Sequence, residues 1–475
     1  MSKTKIVCTL GPSTSSEETI RKLARKGMDV ARLNFSHGRL SDHARMISLV
    51  KKVRRELGVP IAILADLQGP RIRTGVFKSG KAELKRGSTV LVNSESDFVG
   101  SGREFSIPYA RLSKEVGVGD RIFIDGGLIE LLVVGKKNGV LAAEVVEGGE
   151  VGDHKGVNLP NADISLNSLT RKDLRDLKFL QSQNADYVAQ SFVRVAGDVM
   201  FLKKKLSRWK LKPKVIAKIE TAKALYDIDA IIDESDGIMI ARGDLGIELN
   251  PEEVPLIQKS LIKKCNAAFK PVITATQMLE SMTYSPIPTR AEASDVANAV
   301  LDGTDALMLS GETAMGKYPL KAVETMDSIA KKAEFVLTHA PHFDSFEGKP
   351  LHHSIVEAIS GAVTHTAFHL KAKFIVAYTT HGTTARLISK HKPPQKIIAF
   401  TPHESARNQC ALLWGVEPLL LRKAGGLEDF TRMAETELKA RKLVKKGDLL
   451  VLTAGIPLEV SGNTNVMKVH VVNGF

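Results

Sequence analysis

The feature that most constrains the fold is a series of short apolar, β-branched segments separated by stretches of helical character. Parallel strands that alternate with helices are typical of α/β domains, and eight of them can close a (β/α)8 barrel. The eight segments are KIVCTL at 5–10, DVARLNFS at 29–36, IAILADLQ at 61–68, ADYVAQSFV at 185–193, KVIAKIET at 214–221, GIMIARGDL at 237–245, PVITATQM at 271–278 and ALMLSGET at 306–313. We therefore predict an α/β protein built on a (β/α)8 TIM barrel.

Two regions lie outside this series. Residues 71–153 are rich in Gly, Val and alternating runs, with little helical periodicity, and predict an inserted all-β lid, a small β barrel. Beyond residue 338, runs such as KFIVAYT and DLLVLT alternate with helices, which predicts a C-terminal doubly wound α/β domain. The expected domains are the barrel at 1–70 and 154–338, the lid at 71–153 and the C-terminal domain at 339–475, with a linker at 342–350.

Composition narrows the classes of function. No run of eighteen apolar residues and no apolar leader occurs, so neither a membrane partner nor a signal peptide is expected. Three widely spaced cysteines fit small core residues in the reducing cytoplasm. The net charge of +14 makes nucleic acid or an anionic substrate a candidate partner. With 5% aromatic residues and no recognisable RNA-binding signature, nucleic acid is the weaker interpretation.

Polar residues occur at the carboxyl ends of most predicted barrel strands. One such residue alone would be read as a rim charge or a helix cap. Their coincidence favours a site, because charges buried in a barrel mouth need a ligand or a metal to satisfy them. Carboxylates without neighbouring His or Cys favour Mg²⁺ or Mn²⁺, and Mg²⁺ beside Arg and Lys indicates phosphate chemistry. These residues are Arg32, Asn34, Ser36, Asp66, Lys218, Glu220, Asp244, Thr276, Ser310 and Glu312.

At these same positions the sequence resembles the pyruvate kinase family over nearly its whole length. The run from 236 to 319 is the most specific part. GDLG or SGET alone would be weak evidence. The matching blocks are TKIVCTLGPS at 4–13, ARLNFSHG at 31–38, KGVNLP at 155–160, ARGDLGIE at 241–248, ATQMLESM at 275–282, PTRAEASDVANAVLDGTDA at 288–306 and LMLSGETAMGKYP at 307–319.

The resemblance implies transfer of a phosphoryl group from phosphoenolpyruvate to ADP, giving pyruvate and ATP. It implies that Arg32 and Lys218 flank the transferred group and that Glu220 and Asp244 hold Mg²⁺. It further implies that the backbone of Gly243 and Asp244, with the Thr276 hydroxyl, binds the substrate carboxylate. Ser310 and Glu312 would lie where the enolate is protonated, with no choice between them as proton donor.

The resemblance also assigns the nucleotide and the lid. His37, Arg73 and Lys155 are implied to meet the nucleotide phosphates, the last two at the hinges of the lid. Lid closure would exclude water, which otherwise competes with ADP for the phosphoryl group.

The monovalent-cation position of the family is matched here by Asn34, Ser36, Asp66 and the carbonyl of Leu67. Relatives that require K⁺ typically have Thr where Leu67 stands and Glu where Arg71 stands. Because Arg71 brings a permanent positive charge to this region, we expect an enzyme that works without K⁺. The alternative is that Arg71 points to solvent and that K⁺ is still needed.

A second ligand position is implied in the C-terminal domain. The segment TTHGTTARL at 379–387 passes from a strand end into a helix start rich in Thr and Gly. In the family this position resembles a loop that binds a phosphorylated effector, and simple helix capping is an equal alternative. The residues concerned are Thr379, Thr380, Gly382, Thr383 and Thr384.

The resemblance further suggests a homotetramer, although the helices expected at 251–270 and 351–372 could equally be buried within one subunit. Two other functions remain open at this point. One is a Mg²⁺-dependent barrel lyase or mutase acting on an enol phosphate, which would need neither lid nor nucleotide residues. The other is an anion- or RNA-binding protein without catalysis, which would not need Lys218 and would bind in a salt-dependent way.

Overall fold

A computed structural model describes residues 1–339, 355–458 and 463–473, and the predicted linker at 342–350 lies outside them. The chain begins with alternating strands and helices. Ser16 caps the first helix by accepting from the N–H of Thr19, and Gly27 ends it. The elements are β1 (Lys5–Thr9), a 3-10 turn (Pro12–Thr14), α1 (Glu17–Lys26), β2 (Met28–Asn34), α2 (Leu40–Leu57) and β3 (Ala62–Asp66).

The inserted domain follows. Its elements are β4 (Ile72–Arg73), β5 (Val76–Phe77), β6 (Lys81–Leu84), β7 (Thr89–Asn93), β8 (Val99–Gly100), β9 (Glu104–Ser106), α3 (Leu112–Glu115), β10 (Arg121–Ile124), β11 (Ile129–Lys137), β12 (Val140–Glu147), β13 (Gly149–Gly152) and β14 (Gly156–Asn158). They form a seven-stranded sheet in the order β4-β14-β10-β11-β12-β7-β9 and two separate strand pairs, and no strand pairing among the described residues closes the sheet between β4 and β9. Since β14 lies beyond residue 153, the lid sheet also extends past its predicted limit.

The remaining elements of the first large domain follow the lid, and α10 begins with a capping box between Thr289 and Glu292. They are α4 (Arg171–Leu180), β15 (Tyr187–Gln190), α5 (Ala196–Arg208), β16 (Lys214–Ile219), α6 (Ala222–Tyr226), α7 (Ile228–Glu234), β17 (Gly237–Ala241), α8 (Arg242–Glu248), α9 (Val254–Ala267), β18 (Val272–Ala275), a 3-10 turn (Glu280–Thr283), α10 (Arg290–Leu301), β19 (Ala306–Leu309), α11 (Gly311–Ala314) and α12 (Pro319–His339).

Eight strands close the predicted parallel barrel, in the order β1-β2-β3-β15-β16-β17-β18-β19 and back to β1. Their lengths differ from the prediction at the carboxyl ends. The segment at 237–245 is strand only to Ala241, where α8 begins directly. The segment at 271–278 is strand only to Ala275, because Thr276 and Gln277 adopt φ of 66° and 53°. Such φ values cannot continue a strand.

The C-terminal domain is the expected doubly wound unit. Its sheet has the order β22-β21-β20-β23-β24, with only β24 antiparallel to its neighbour. Its elements are α13 (Ile355–His369), β20 (Phe374–Tyr378), α14 (Thr383–Lys390), β21 (Lys396–Thr401), α15 (Glu404–Gln409), a 3-10 turn (Cys410–Leu412), β22 (Val416–Leu420), α16 (Leu427–Ala440), β23 (Leu449–Gly455) and β24 (Thr464–Val471).

The C-terminal domain closes the amino end of the barrel. Ala411 and Leu412 pack in one cluster with side chains of the barrel interior such as Val7 and Met239. The Tyr187 hydroxyl donates to the carbonyl of Gln409 at 2.6 Å. The interior is therefore filled at this end, and access to the barrel is left to its carboxyl end.

Charged groups are also buried where the two domains meet. Asp305, which precedes β19, is ion-paired with Lys390 and with Lys392, at 2.8 Å for the latter. Its Oδ2 also accepts from the N–H of Val272 at 2.8 Å, and Asn266 accepts from Lys390 at 2.9 Å. Asp305 and Lys390 are 1% exposed, so this pair is a fully buried domain contact.

Candidate active site

Four charged side chains meet at the carboxyl end of the barrel. Arg32 Nε donates to Asp66 Oδ2 at 2.7 Å, and Lys218 Nζ lies 3.2 Å from Asp66 Oδ1. Lys218 Nζ also contacts Glu220 Oε1 at 2.9 Å. All four residues are buried, between 0% and 8% exposed. Lys218 and Glu220, both predicted for the site, are therefore paired at the carboxyl end of the barrel, and Asp66 joins them to Arg32.

Burial and charge act against each other in this cluster. Burial alone would raise the pKa of Asp66, but Lys218 and Arg32 outweigh it and hold that pKa below its usual value. Burial would lower the pKa of Lys218, and Asp66 and Glu220 reverse this and raise it. Glu220 differs because burial, with the charge of Asp244 nearby, leaves its pKa raised despite Lys218. Glu220 and Asp244 are thus a pair of neighbouring carboxylates, and Lys218 does not fully compensate the cost of burying Glu220.

That pair is where a divalent cation fits. Among the described residues no group of three or more His, Cys, Asp or Glu side chains could hold a metal alone. Two carboxylates nevertheless suit Mg²⁺, which keeps several waters and takes further oxygens from a substrate phosphate. Arg71 supplies the nearest counter-charge to Asp244, with Nη2 lying 3.6 Å from Oδ1. The donor set therefore fits Mg²⁺ or Mn²⁺.

The turn after β18 faces the start of α8. Gly243 N–H donates to the Thr276 hydroxyl at 2.7 Å, and that hydroxyl donates to the carbonyl of Ala275 at 2.7 Å. The Arg242 guanidinium stabilises this turn by donating to the carbonyl of Thr276 at 2.7 Å. A positive φ in a β-branched residue such as Thr276 is costly, so the turn is held by these contacts.

Ser310 and Glu312 lie at the end of β19. Glu312 is 2% exposed, and its two oxygens accept the N–H groups of Leu279 at 3.1 Å and Ser310 at 2.7 Å. Burial raises the pKa of Glu312. The Ser310 hydroxyl is buried without a hydrogen-bond partner among the described residues. Glu312 thus fixes the backbone that presents a free Ser310 hydroxyl.

Two of the three residues expected to meet the nucleotide, Arg73 and Lys155, lie at the hinges of the lid. Arg73 Nη1 donates to the carbonyl of His154 at 3.0 Å, and Lys155 is ion-paired with Asp125 at 2.8 Å. His37 is exposed on the turn after β2. Arg73 and Lys155 therefore lie on neighbouring strand ends, since β4 pairs with β14.

Three of the four residues of the monovalent-cation position have oxygens that contact protein groups. Asn34 Oδ1 accepts the Ser36 N–H at 3.1 Å, and the carbonyl of Leu67 accepts the Ser191 hydroxyl at 2.7 Å. Asp66 is taken by Arg32 and Lys218. Arg71 Nη2 lies 3.6 Å from Asp244 Oδ1, and the Arg71 side chain remains 35% exposed to solvent.

Three residues of the site were missed by the sequence analysis. Ser191 accepts from Lys218 at 2.7 Å, and the Phe192 N–H donates to Glu220 Oε2 at 2.6 Å. The Thr9 hydroxyl accepts from Arg32 Nη1 at 2.8 Å. Ser191 and Thr9 obey the rule used for the other strands, a polar residue at the carboxyl end. Applying it to the first and fourth strands would have found them.

The Thr-rich segment of the C-terminal domain lines a separate small cavity of about 10 Å³. The Thr379 hydroxyl accepts from the N–H of Gly382 at 2.9 Å, and the hydroxyls of Thr384 and Thr464 are 2.7 Å apart. Gly382 has φ of 85°, and a Cβ there would lie 3.0 Å from Cys410 Sγ. Thr380 and Thr383 also line the cavity.

Together these features define a (β/α)8-barrel enzyme with an inserted lid domain. The charged cluster at the carboxyl end of its barrel suits an anionic substrate. Sequence comparison makes the assignment specific. A family model described as "Pyruvate kinase, barrel domain" matches residues 1–323, and one described as "Pyruvate kinase, alpha/beta domain" matches residues 357–470.

The pyruvate kinases of Staphylococcus saprophyticus and of Staphylococcus aureus strain MRSA252 are each 46% identical to the chain, over 99% of it and 81% of their own length. A crystal structure of a pyruvate kinase from Cryptosporidium parvum superposes with a TM-score of 0.92 at 37% identity, covering 99% of this chain and 96% of that one. The chain belongs to the pyruvate kinase family. The predicted activity, phosphoryl transfer from phosphoenolpyruvate to ADP in glycolysis, is confirmed at this level.

Proposed function

We propose that the cluster of Arg32, Lys218, Glu220 and Asp244 carries out this reaction with Mg²⁺ or Mn²⁺. The supporting observation is the pairing of Lys218 with Glu220 at 2.9 Å in the charged cluster at the carboxyl end of the barrel. Arg32 and Lys218 hold the phosphoryl oxygens by charge. The cation held by Glu220 and Asp244 supplies positive charge beside the substrate.

Other residues bind and orient. We propose that the backbone of Gly243 and Asp244, with the Thr276 hydroxyl, accommodates the substrate carboxylate. The Thr276 hydroxyl would then donate to the carboxylate instead of to the carbonyl of Ala275, and the Gly243 N–H would turn from the Thr276 oxygen to the carboxylate. Ser310, held by Glu312, lies on the side where the enolate carbon gains its proton. His37, Arg73 and Lys155 take the nucleotide phosphates when the lid approaches.

A coupled assay for pyruvate tests the proposal. Pyruvate should form from phosphoenolpyruvate only when ADP and Mg²⁺ or Mn²⁺ are both present, and ATP should appear in equal amount. Pyruvate formation without ADP would instead indicate a lyase or phosphatase. Loss of activity in EDTA that returns with Mg²⁺ checks the metal requirement.

We further propose that K⁺ is not required. In support, the oxygens of Asn34, Asp66 and Leu67 already have protein partners, and Arg71 places a fixed positive charge 3.6 Å from Asp244. Activity should be measured with Mg²⁺ in tetramethylammonium buffer, adding KCl or NaCl at matched ionic strength. Activation of many-fold by K⁺ alone would refute the proposal. Arg71→Glu with Leu67→Thr should lose activity without K⁺ and recover part of it with K⁺.

A phosphorylated effector is proposed for the cavity at Thr379–Thr384. Support comes from the Gly382 turn, which opens α14 with hydroxyls on both sides. An effector that prefers one of two states would change the apparent affinity for phosphoenolpyruvate. Sugar phosphates, phosphoglycerates and nucleoside monophosphates should be screened. A substrate curve that no ligand moves, or a response unchanged by Thr383→Ala and Thr384→Ala, contradicts the proposal.

We also propose a homotetramer in the cytoplasm. Helices α9 and α13 each leave a large apolar residue exposed on the single chain, Leu256 and Ile355, both 70% exposed. Three buried free cysteines suit a reducing compartment. Sedimentation velocity at micromolar concentration tests the assembly, and a monomer would overturn it. No described helix is both long and apolar enough to cross a membrane.

A further inference from the structure

The carboxyl end of β15 contacts both halves of the catalytic cluster. Ser191 and Phe192 follow this strand directly. The Ser191 hydroxyl accepts from Lys218 Nζ at 2.7 Å and donates to the carbonyl of Leu67 at 2.7 Å. The next residue donates its backbone N–H to Glu220 Oε2 at 2.6 Å. One two-residue turn thus touches the lysine proposed for phosphoryl transfer and the proposed metal ligand.

The turn is held in a costly backbone conformation. Phe192 has φ of 54°, which is uncommon for a bulky residue and persists only when the surroundings enforce it. The positive φ turns the chain away from the strand direction immediately after the N–H that donates to Glu220. The chain therefore leaves the strand direction at the residue that contacts Glu220.

The surroundings that enforce it belong to the loop leading into the lid. A Cβ on Gly69 would lie 2.9 Å from Ser191 Cβ and 3.1 Å from Phe192 Cδ2, and Gly69 itself has φ of 69°. Only glycine allows so close an approach with such a φ. The loop at 67–69 is thus packed against the turn and shares a hydrogen bond with it through Leu67.

From these contacts we infer that Ser191 is a positioning residue, which fixes the ammonium group of Lys218 between Asp66 and Glu220. The inference rests on the proposed role of Lys218. Without the Ser191 hydroxyl, Lys218 keeps its contacts with the carboxylates of Asp66 and Glu220 but loses its uncharged hydrogen-bond acceptor. Its ammonium group then moves toward one carboxylate and away from the phosphoryl oxygens. Because Ser191 is 3% exposed and backs onto Leu67, it acts through Lys218.

Ser191→Ala is the first test. We expect kcat to fall about 10- to 100-fold, the range for one hydrogen bond to a charged group, with KM for phosphoenolpyruvate changed less than about 3-fold. Ser235→Ala is the matched control, since Ser235 is equally buried and donates to the carbonyl of Ile231 at 2.6 Å, far from the site. It should lower the melting temperature similarly and leave kcat unchanged. A kcat within 2-fold of the parent for Ser191→Ala overturns the inference.

A double-mutant cycle separates positioning from general support. Adding Ser191→Ala to Lys218→Met should lower kcat no further, because the group that Ser191 positions is gone. A further 10-fold loss in the double variant would overturn the inference. Near-normal kcat in Lys218→Met alone would instead contradict the proposed role of Lys218. If Ser191→Ala does not fold, Ser191→Cys, of nearly the same size but a weaker acceptor, should show the same selective loss of kcat.

Discussion

The two ends of the barrel both bury ion pairs, but they do so differently. At the amino end every carboxylate oxygen of Asp305 has a close partner, and the interior beneath is filled by Ala411 and Leu412. Within the described part of the chain, the side chain of Asp244 at the carboxyl end has only a 3.6 Å contact with Arg71, and the Ser310 hydroxyl has no partner. A buried charge alone therefore does not indicate a functional site. Polar groups without close hydrogen-bond or ion-pair partners at the open end of the barrel do indicate one.

Removing a charge should lower the free energy of unfolding more at the amino end of the barrel than at the carboxyl end. Asp305→Asn would leave Lys390 and Lys392 without their shared counter-charge, and we expect unfolding to cost about 3–5 kcal/mol less. Urea unfolding measures this loss. The kcat of the folded fraction should remain normal. A loss below about 1 kcal/mol would show that water or a rearranged partner satisfies the lysines.

The carboxyl end should respond in the opposite way. Lys218→Met should lower kcat at least about 100-fold, near 2.7 kcal/mol, because a charge contact with the transferring group is lost. Circular dichroism should be unchanged. Exchange of the methyl protons of pyruvate should persist, since enolisation is assigned to groups near Ser310 and Thr276. Near-normal turnover would contradict the site assignment.

The smallest effect concerns the pH dependence of the amino-end cluster. Burial lowers the pKa of Lys392 to about 8, below the value of about 10.4 in an unfolded chain. The unfolded chain therefore binds more protons in this range, so Lys392 makes stability rise as the pH increases from 8 toward 10. The difference in unfolding free energy between the parent and Lys392→Met should shift by about 1–2 kcal/mol in favour of the parent across that range. A difference that stays constant with pH would contradict the lowered pKa.

The sequence predicted the strands better than their ends. Apolar β-branched runs located all eight barrel strands, because burial on both faces leaves a strong signal. The same runs continued past Ala241 and Ala275, where backbone turns that depend on tertiary contacts stop the strands. In the lid, alternation indicated strands but not how they pair, and they form a sheet and two strand pairs.

Some residues of the site could be predicted from the sequence and others could not. Charged residues such as Lys218 and Glu220 were predicted because they stand at the carboxyl end of an apolar strand segment. Phe192 contributes through its backbone N–H, and no residue pattern reports that. Nor could the sequence predict the cluster at Asp305, because Lys390 comes 85 residues later in a different domain.

The filling of the barrel floor by Ala411 and Leu412 has a consequence for synthesis. The last barrel strand, β19, leaves the ribosome roughly a hundred residues before Leu412 does. The apolar side chains at the amino end of the nascent barrel are therefore exposed to water while the C-terminal domain is being made. The catalytic end can assemble first, and its rigidity is completed only when the other end is sealed. A chain shortened before residue 411 would carry every catalytic group and still lack the packing that holds them in register.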